Sequence, residues 1–205
     1  MARKASTRRQ LITDFRRSEI LTAAAKVFGL KGYDATHMLD IAKAAELAKG
    51  TLYLYFPSKD VIYENVIKQA LTELTALTEK QIDMATNFAS KLGAFIQVRI
   101  AYWHEKQSLY RVVLSIGREG HSKKRSIAWQ RQTAVYLARL FETAAKEGEI
   151  PEQDFMAAAW TTMDAIRGVN ERRAFSEGRS TEQDGSFLTA FLLSALNYSP
   201  NKYSK

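Results

Sequence analysis

Apolar residues recur at three- and four-residue intervals along almost the whole chain, which is the spacing of one helical face. No run alternates as a half-buried strand would. The first clear run, Phe15 to Leu30, puts Phe15, Ile20, Ala23, Ala24, Val27 and Phe28 on one face. Lys31-Gly32 stops it, because glycine accepts the left-handed conformation that ends many helices. Thr36 then offers a side-chain oxygen to a second helix over about Met38 to Ala45, and Asp40 suits its exposed N–H groups. Leu39, Ile41, Ala42 and Ala45 are its packing residues. Glu46-Leu47-Ala48 forms a turn, Lys49 to Phe56 a third helix, and Pro57 prevents that helix from continuing.

The same periodicity predicts a longer set of helices downstream. A fourth, about Ser58 to Ala85, carries Ile62, Val66, Ile67, Leu71, Leu74 and Leu77. A fifth, about Asn87 to Lys106, carries Phe88, Leu92, Phe95, Ile96, Ile100 and Trp103. A shorter sixth holds Leu109, Val112, Val113 and Ile116, and a seventh runs from about Ser122 to Lys146. The eighth begins near Pro151 and reaches about Ser176; the ninth spans about Thr181 to Tyr198. The last two are unusually apolar: Phe155, Ala158, Ala159, Thr162, Met163, Ile166 and Val169 on one, Phe187, Leu188, Phe191, Leu192, Ala195 and Leu196 on the other. So broad an apolar surface must be buried, and a two-fold four-helix contact between two copies would bury it. The fold class expected is therefore all-α with about nine helices. Its parts are a basic arm (1–17), a three-helix domain (18–60), a larger helical domain (61–198) and a flexible tail (199–205).

A pair of short helices joined by a tight turn is a device for placing one helix in the major groove of DNA. The plainer reading is a small bundle with Tyr53, Tyr55 and Phe56 as core, but it leaves Lys49, Gly50, Thr51 and Lys59 unexplained. Ile20-Leu21, Ala24-Ala25, Phe28, Lys31-Gly32-Tyr33, Thr36, Ile41-Ala42, Ala45, Lys49-Gly50-Thr51-Leu52-Tyr53, Tyr55-Phe56 and Ser58-Lys59 together resemble the DNA-binding domain of the TetR/AcrR family of bacterial transcription regulators. Two positions depart from that family's pattern, which has Gly in place of Glu46 and Ser or Thr in place of Ala48. A left-handed Glu46 would cost about 1 kcal/mol relative to Gly, and an Ala48 that cannot cap would cost about 0.5–2 kcal/mol.

The resemblance implies that the third helix enters the major groove while the second braces it. Gly50 would let the backbone approach the duplex, and Lys49 and Thr51 would reach phosphate or base edges. Tyr53, Tyr55 and Lys59 would contact phosphates, and Thr36 and His37 the opposite strand. Leu52 and Phe56 face the core, and Leu54 fits either a base-methyl contact or the rim. The resemblance further implies dimerisation through the last two helices and an effector pocket in the larger domain. It also implies a ligand-responsive regulator, usually a repressor, on a palindromic operator whose half-sites lie about 34 Å apart. Pocket candidates are Phe95, Arg99, Trp103, Tyr110, Trp160, Met163, Arg167 and Asn170. Arg99 and Arg167 on apolar faces invite an anionic, otherwise apolar ligand; pairing with neighbouring Asp or Glu is the other account. A protein partner for the larger domain, in place of a small molecule, is the alternative reading.

Charge sharpens this picture. The chain carries 30 Lys and Arg against 22 Asp and Glu, a net +8. Residues 1–17 hold Arg3, Lys4, Arg8, Arg9, Arg16 and Arg17 against Asp14 alone. This reads as an arm that is disordered by itself and condenses on DNA, or as a solvated tail. With no apolar run it is neither a signal peptide nor a membrane span. The absence of cysteine excludes disulfides, a thiol sensor and a Cys-ligated metal, and fits the cytoplasm. His37, His104 and His121 lie in no metal-binding spacing, and no phosphate loop or nucleophile elbow occurs, so neither catalysis nor a cofactor is expected.

Overall fold

A computed structural model describes residues 2–115, 120–175 and 179–200. Within them lie nine helices and no strand: α1 (Ala2–Lys31), α2 (Met38–Ala44), α3 (Lys49–Tyr55), α4 (Lys59–Asp83), α5 (Phe88–Glu105), α6 (Gln107–Ser115), α7 (Gly120–Lys146), α8 (Phe155–Phe175) and α9 (Thr181–Ala195). Two compact units divide them, Met1–Thr72 with Gln107–Arg118 and Glu73–Lys106 with Glu119–Lys205. The first is larger than the stretch 18–60 expected, because it takes in α6 and the first part of α4.

In the first unit Ile20, Ala24, Phe28, Ile41, Ala42, Leu52, Phe56, Ile62 and Tyr63 are buried together. Gly29 lets α6 lie directly on α1: a Cβ there would sit 2.5 Å from Ser108 Cβ and 2.6 Å from its carbonyl oxygen. The Tyr63 hydroxyl donates to the Val112 carbonyl at 2.9 Å, tying α4 to α6. Tyr63 also packs edge-on against Phe28 and Tyr33.

The N-terminal segment departs from expectation. It is not a disordered arm, since α1 is helical from Ala2. No Gly or Pro precedes Gly29, and Gln10–Asp14 and Arg16–Glu19 pair along the helix surface. Phe15, expected on the packed face, is 62% exposed, as are Leu11 and Ile12 beside it to a similar degree.

Helix ends follow local rules with one shift. Gly32 ends α1 at φ +77. Thr36 does not cap α2. His37 holds the cap position instead, and its N–H donates to Asp40 Oδ2 at 2.9 Å. The hydroxyl of Thr36, fully buried, donates to the Gly32 carbonyl at 2.6 Å and so stabilises the end of α1 rather than the start of α2. At the far end of α2, Leu47 N–H donates to the Ala42 carbonyl and Glu46 N–H to that of Lys43, with Glu46 at φ 56. This is the Schellman closure. It recurs after α7 with Gly148 (φ 75) and after α9 with Asn197 (φ 53) in the same place.

The second unit has one apolar core, in which Phe88, Leu92, Phe95, Ile96 and Ile100 of α5 meet Leu137 and Phe141 of α7, Ile166 and Val169 of α8, and Leu188 and Leu192 of α9. The capping boxes at Asn87–Ser90 and Ser180–Gln183 start α5 and α9. Ser199, assigned to the tail by its sequence, donates its N–H to the Glu149 carbonyl; residues 201–205 lie outside the described ones. Ile116 of the expected sixth helix and Ser176 at the expected end of the eighth also lie outside them.

Candidate functional site

Helix α3 has two distinct faces. Leu52 and Phe56 are fully buried, whereas Lys49, Gly50, Tyr53 and Leu54 are exposed and Thr51 and Tyr55 half-buried. A seven-residue helix is too short to persist alone, so its outward face depends on what holds it beneath. Besides the two buried side chains there is Arg17 of α1, whose Nη1 donates to the Tyr55 carbonyl at 2.6 Å. Its guanidinium lies 4.2 Å above the Phe56 ring. Arg17 thus satisfies a carbonyl that the helix end leaves open. Sequence reasoning had placed it in a free arm, because nothing in a local pattern signals a partner 38 residues away.

The outward surface gathers His37 at the start of α2 with Lys49, Gly50, Thr51, Tyr53 and Tyr55 of α3. Leu54, at 85% exposure, stands on the same face. Two expected members are used internally. Thr36 is buried and bonded as described. Lys59 Nζ donates to the Tyr33 carbonyl at 2.8 Å and the Asp34 carbonyl at 3.5 Å, over the Tyr33 ring, so it braces the α1–α2 loop rather than presenting a free cation. A Cβ at Gly50 would meet nothing within 4 Å. Among the described residues nothing requires glycine at that position.

Around this face, Asp40 receives Lys31 Nζ at 2.8 Å in addition to the His37 N–H. The Lys31 ammonium, and then that N–H, hold its carboxyl below the usual value. Ala48 starts α3 with no side-chain cap bond, as its lack of a polar atom dictates.

The eight residues expected around an effector are divided between the two units. Tyr110 belongs to α6 in the first unit, and the other seven to the second. Phe95 is wholly buried and Trp103 nearly so; Trp160 and Met163 are half-buried against the core. Arg167 is solvated at the surface, where Asp164 and Glu171, one turn away on either side, pair with it at 3.0 and 3.9 Å. This is the pairing with neighbouring acids, the other account of its charge.

Arg99 is different. It is 8% exposed, its Nη1 donates to Thr78 Oγ1 at 2.8 Å and to the Phe95 carbonyl at 3.5 Å, and its guanidinium lies 3.6 Å above the Phe95 ring. Burial pulls its pKa down to about 9, which leaves it charged at neutral pH. Asn170, 3% exposed, has neither amide atom hydrogen-bonded. A surface depression of about 400 Å³ is lined by Arg179, Glu182, Gln183 and Ser186, and none of the eight candidates lines it. Among the described residues no group of His, Cys, Asp or Glu is placed to hold a metal ion, and no helix is long and apolar enough to cross a membrane.

Residues 20–66 match the model of a family of bacterial regulatory proteins, the tetR family. The transcriptional repressor KstR2 of Mycolicibacterium smegmatis is 38% identical over 82 residues, 40% of this chain and 40% of that protein. The chain matches between 35% and 40% of the length of the first curated relatives. Among solved structures, the fatty acid degradation regulator FadR from Bacillus halodurans is 20% identical, with a TM-score of 0.80 over 90% of this chain and 97% of that one. The regulator FadR from Bacillus subtilis, solved with stearoyl-CoA, is 22% identical, with a TM-score of 0.79 over 86% and 97%. At such identities the likeness establishes the fold.

Proposed function

We propose that the chain, whose residues 20–66 match the tetR family of bacterial regulatory proteins, is a ligand-responsive transcriptional repressor of that family, acting in the cytoplasm without a catalytic step. Helix α3 reads the major groove of a palindromic operator through Lys49, Thr51 and the exposed Leu54, whose methyls suit thymine. Tyr53, Tyr55 and His37 take phosphates. The observation that carries the reading is Gly50. It stands on the exposed face of a helix, where glycine is unfavourable by about 1 kcal/mol relative to alanine, and no contact in the fold demands it. Close approach to an external backbone accounts for it.

A homodimer supplies the second reading helix. On α9 the residues Phe187, Ala190, Phe191, Ser194 and Ala195 are exposed along one stripe, with the two phenyl rings stacked 6.3 Å apart. On α8 the exposed positions Ala157, Thr161 and Gly168 are small, with the ion-paired Asp164 and Arg167 exposed among them. Large residues on one helix and small ones on the next are complementary across a two-fold axis. A small, mainly apolar effector bound in the second unit would favour a dimer conformation that cannot span both half-sites.

Selecting duplexes from a random pool with the full-length protein, then measuring affinity for the selected sequence, tests this. Gly50→Ala should melt no lower than wild type yet bind the selected duplex at least tenfold more weakly. Unaltered affinity would remove the observation on which the reading rests, and failure to enrich any sequence would remove the reading.

A further inference from the structure

The interior of the second unit contains polar side chains whose bonding capacity the described residues do not meet, among them Arg99 and Asn170; the Nε of Arg173 is a further buried atom without a partner. The guanidinium of Arg99 has five N–H donors. Among the described residues only its Nη1 finds partners, a neutral hydroxyl and, at the limit of length, a carbonyl. Among the described residues no carboxylate pairs with it. The ionisable group whose charge acts on it is the Tyr136 hydroxyl, its own pKa pushed upward chiefly by burial, then by Glu79 and Asp83. A buried cation without a counter-charge is costly, and the usual resolution is an anion brought to it. Asn170 on α8 is the second case, with both its donor and its acceptor unbonded. The helices bearing the two residues, α5 and α8, pack on one another. Ile166 and Val169 beside Asn170 share one apolar core with Phe95, Ile96 and Ile100 beside Arg99.

We infer that the effector is an apolar monocarboxylic acid whose carboxylate pairs with Arg99, and that Asn170 hydrogen-bonds the same molecule within this core. The inference rests on the proposed regulatory function and specifies its ligand. A guanidinium fork matches a carboxylate in two parallel bonds, and the free Nε and Nη2 are available to make them. The surrounding aliphatic and aromatic side chains set the rest of the molecule: it must bury hydrocarbon and offer one anionic end. Arg167, with two carboxylates of its own, takes no part.

The test uses the full-length protein and two matched pairs, decanoate with decanamide and 4-phenylbutyrate with 4-phenylbutyramide, with binding read by calorimetry. At least one acid should bind tenfold or more tightly than its amide. In Arg99→Met that preference should fall below twofold, while amide binding persists. Asn170→Leu should weaken acid and amide alike by about fivefold, leaving their ratio unchanged. Equal binding of acid and amide, no binding of either acid, or a preference that survives Arg99→Met would overturn the inference. Unchanged affinities in Asn170→Leu would overturn the part given to Asn170. Because the wild-type acid–amide comparison stands alone, a misfolded variant does not rescue the idea. Operator selection with the same preparation separates the two failures. Selected DNA with no acid preference refutes only the ligand class, and acid preference without selected DNA refutes only the regulatory function.

Discussion

Glu46 occupies the left-handed position of the turn that leads into α3, at φ 56. A non-glycine residue there costs about 1–2 kcal/mol. Its side chain is exposed and makes no hydrogen bond or ion pair, so Glu46→Gly removes no contact. The new glycine enlarges the unfolded ensemble, which costs roughly 0.4–1 kcal/mol. The net expectation is a gain of about 0.5–1 kcal/mol, or roughly 1–4 °C in Tm for a chain of this size at fixed protein concentration. A local assay is sharper: hydrogen exchange at the Leu47 amide, which donates to the Ala42 carbonyl, should slow about two- to fivefold in Glu46→Gly. Glu46→Ala keeps the backbone cost while deleting the charge, and should change neither reading appreciably. Glu46→Asn should fall between them, since Asn197 holds the equivalent place after α9. If alanine stabilises as much as glycine, the side-chain charge and not the backbone was responsible, and the reasoning fails.

Gly29→Ala should destabilise by about 1–3 kcal/mol, because the added carbon meets Ser108 backbone that cannot move without shifting α6; a melting curve matching wild type would show that the two helices can part cheaply. Glu73 is held below its ordinary pKa of 4.5 chiefly by the Lys106 ammonium, which lies 2.6 Å away, and next by the Tyr102 hydroxyl. Its contribution is therefore present above about pH 4.5 and disappears as pH falls through the lowered folded value. Glu73→Gln should be slightly less stable at pH 7, by under about 1 kcal/mol given its exposure, with the difference closing as pH falls through the lowered folded value; a difference that widens in acid would reverse the sign argued here. Replacing Phe187 and Phe191 by Ser removes two exposed rings from each protomer, at about 1–2 kcal/mol each in the dimer. Sedimentation should show the dimer Kd raised at least a thousandfold, and an unchanged dimer would place the interface elsewhere.

What could be read from the sequence depended on how far apart the interacting residues lie. The stop at Gly32, the unfavourable φ at Glu46 and the empty cap at Ala48 depend on neighbours within four positions, and each was legible. Even locally there was a limit. Thr36 and His37 are adjacent and both polar, and which one caps α2 is settled by Thr36 being drawn inward to the Gly32 carbonyl. The roles of Arg17 and Lys59 had no local signature, since a basic residue looks the same whether it waits for a phosphate or already holds a carbonyl across the fold.

The same ambiguity ran through the effector candidates, and it explains why Arg99 and Arg167 looked equivalent. Both are arginines on largely apolar helices. Arg167 has acids at i−3 and i+4 on its own helix and sits in solvent, so its charge is already balanced. Arg99 is buried, and its partners are the Thr78 hydroxyl of α4 and, on its own helix, the carbonyl and ring of Phe95. The sequence does show that no acid stands at i−4, i−3, i+3 or i+4 of Arg99, where Phe95, Ile96, Tyr102 and Trp103 stand. Applied to each arginine of an apolar helix, that comparison separates a surface pair from a cation whose counter-charge must come from another helix or from a ligand. For Arg99 the described residues of the other helices supply none.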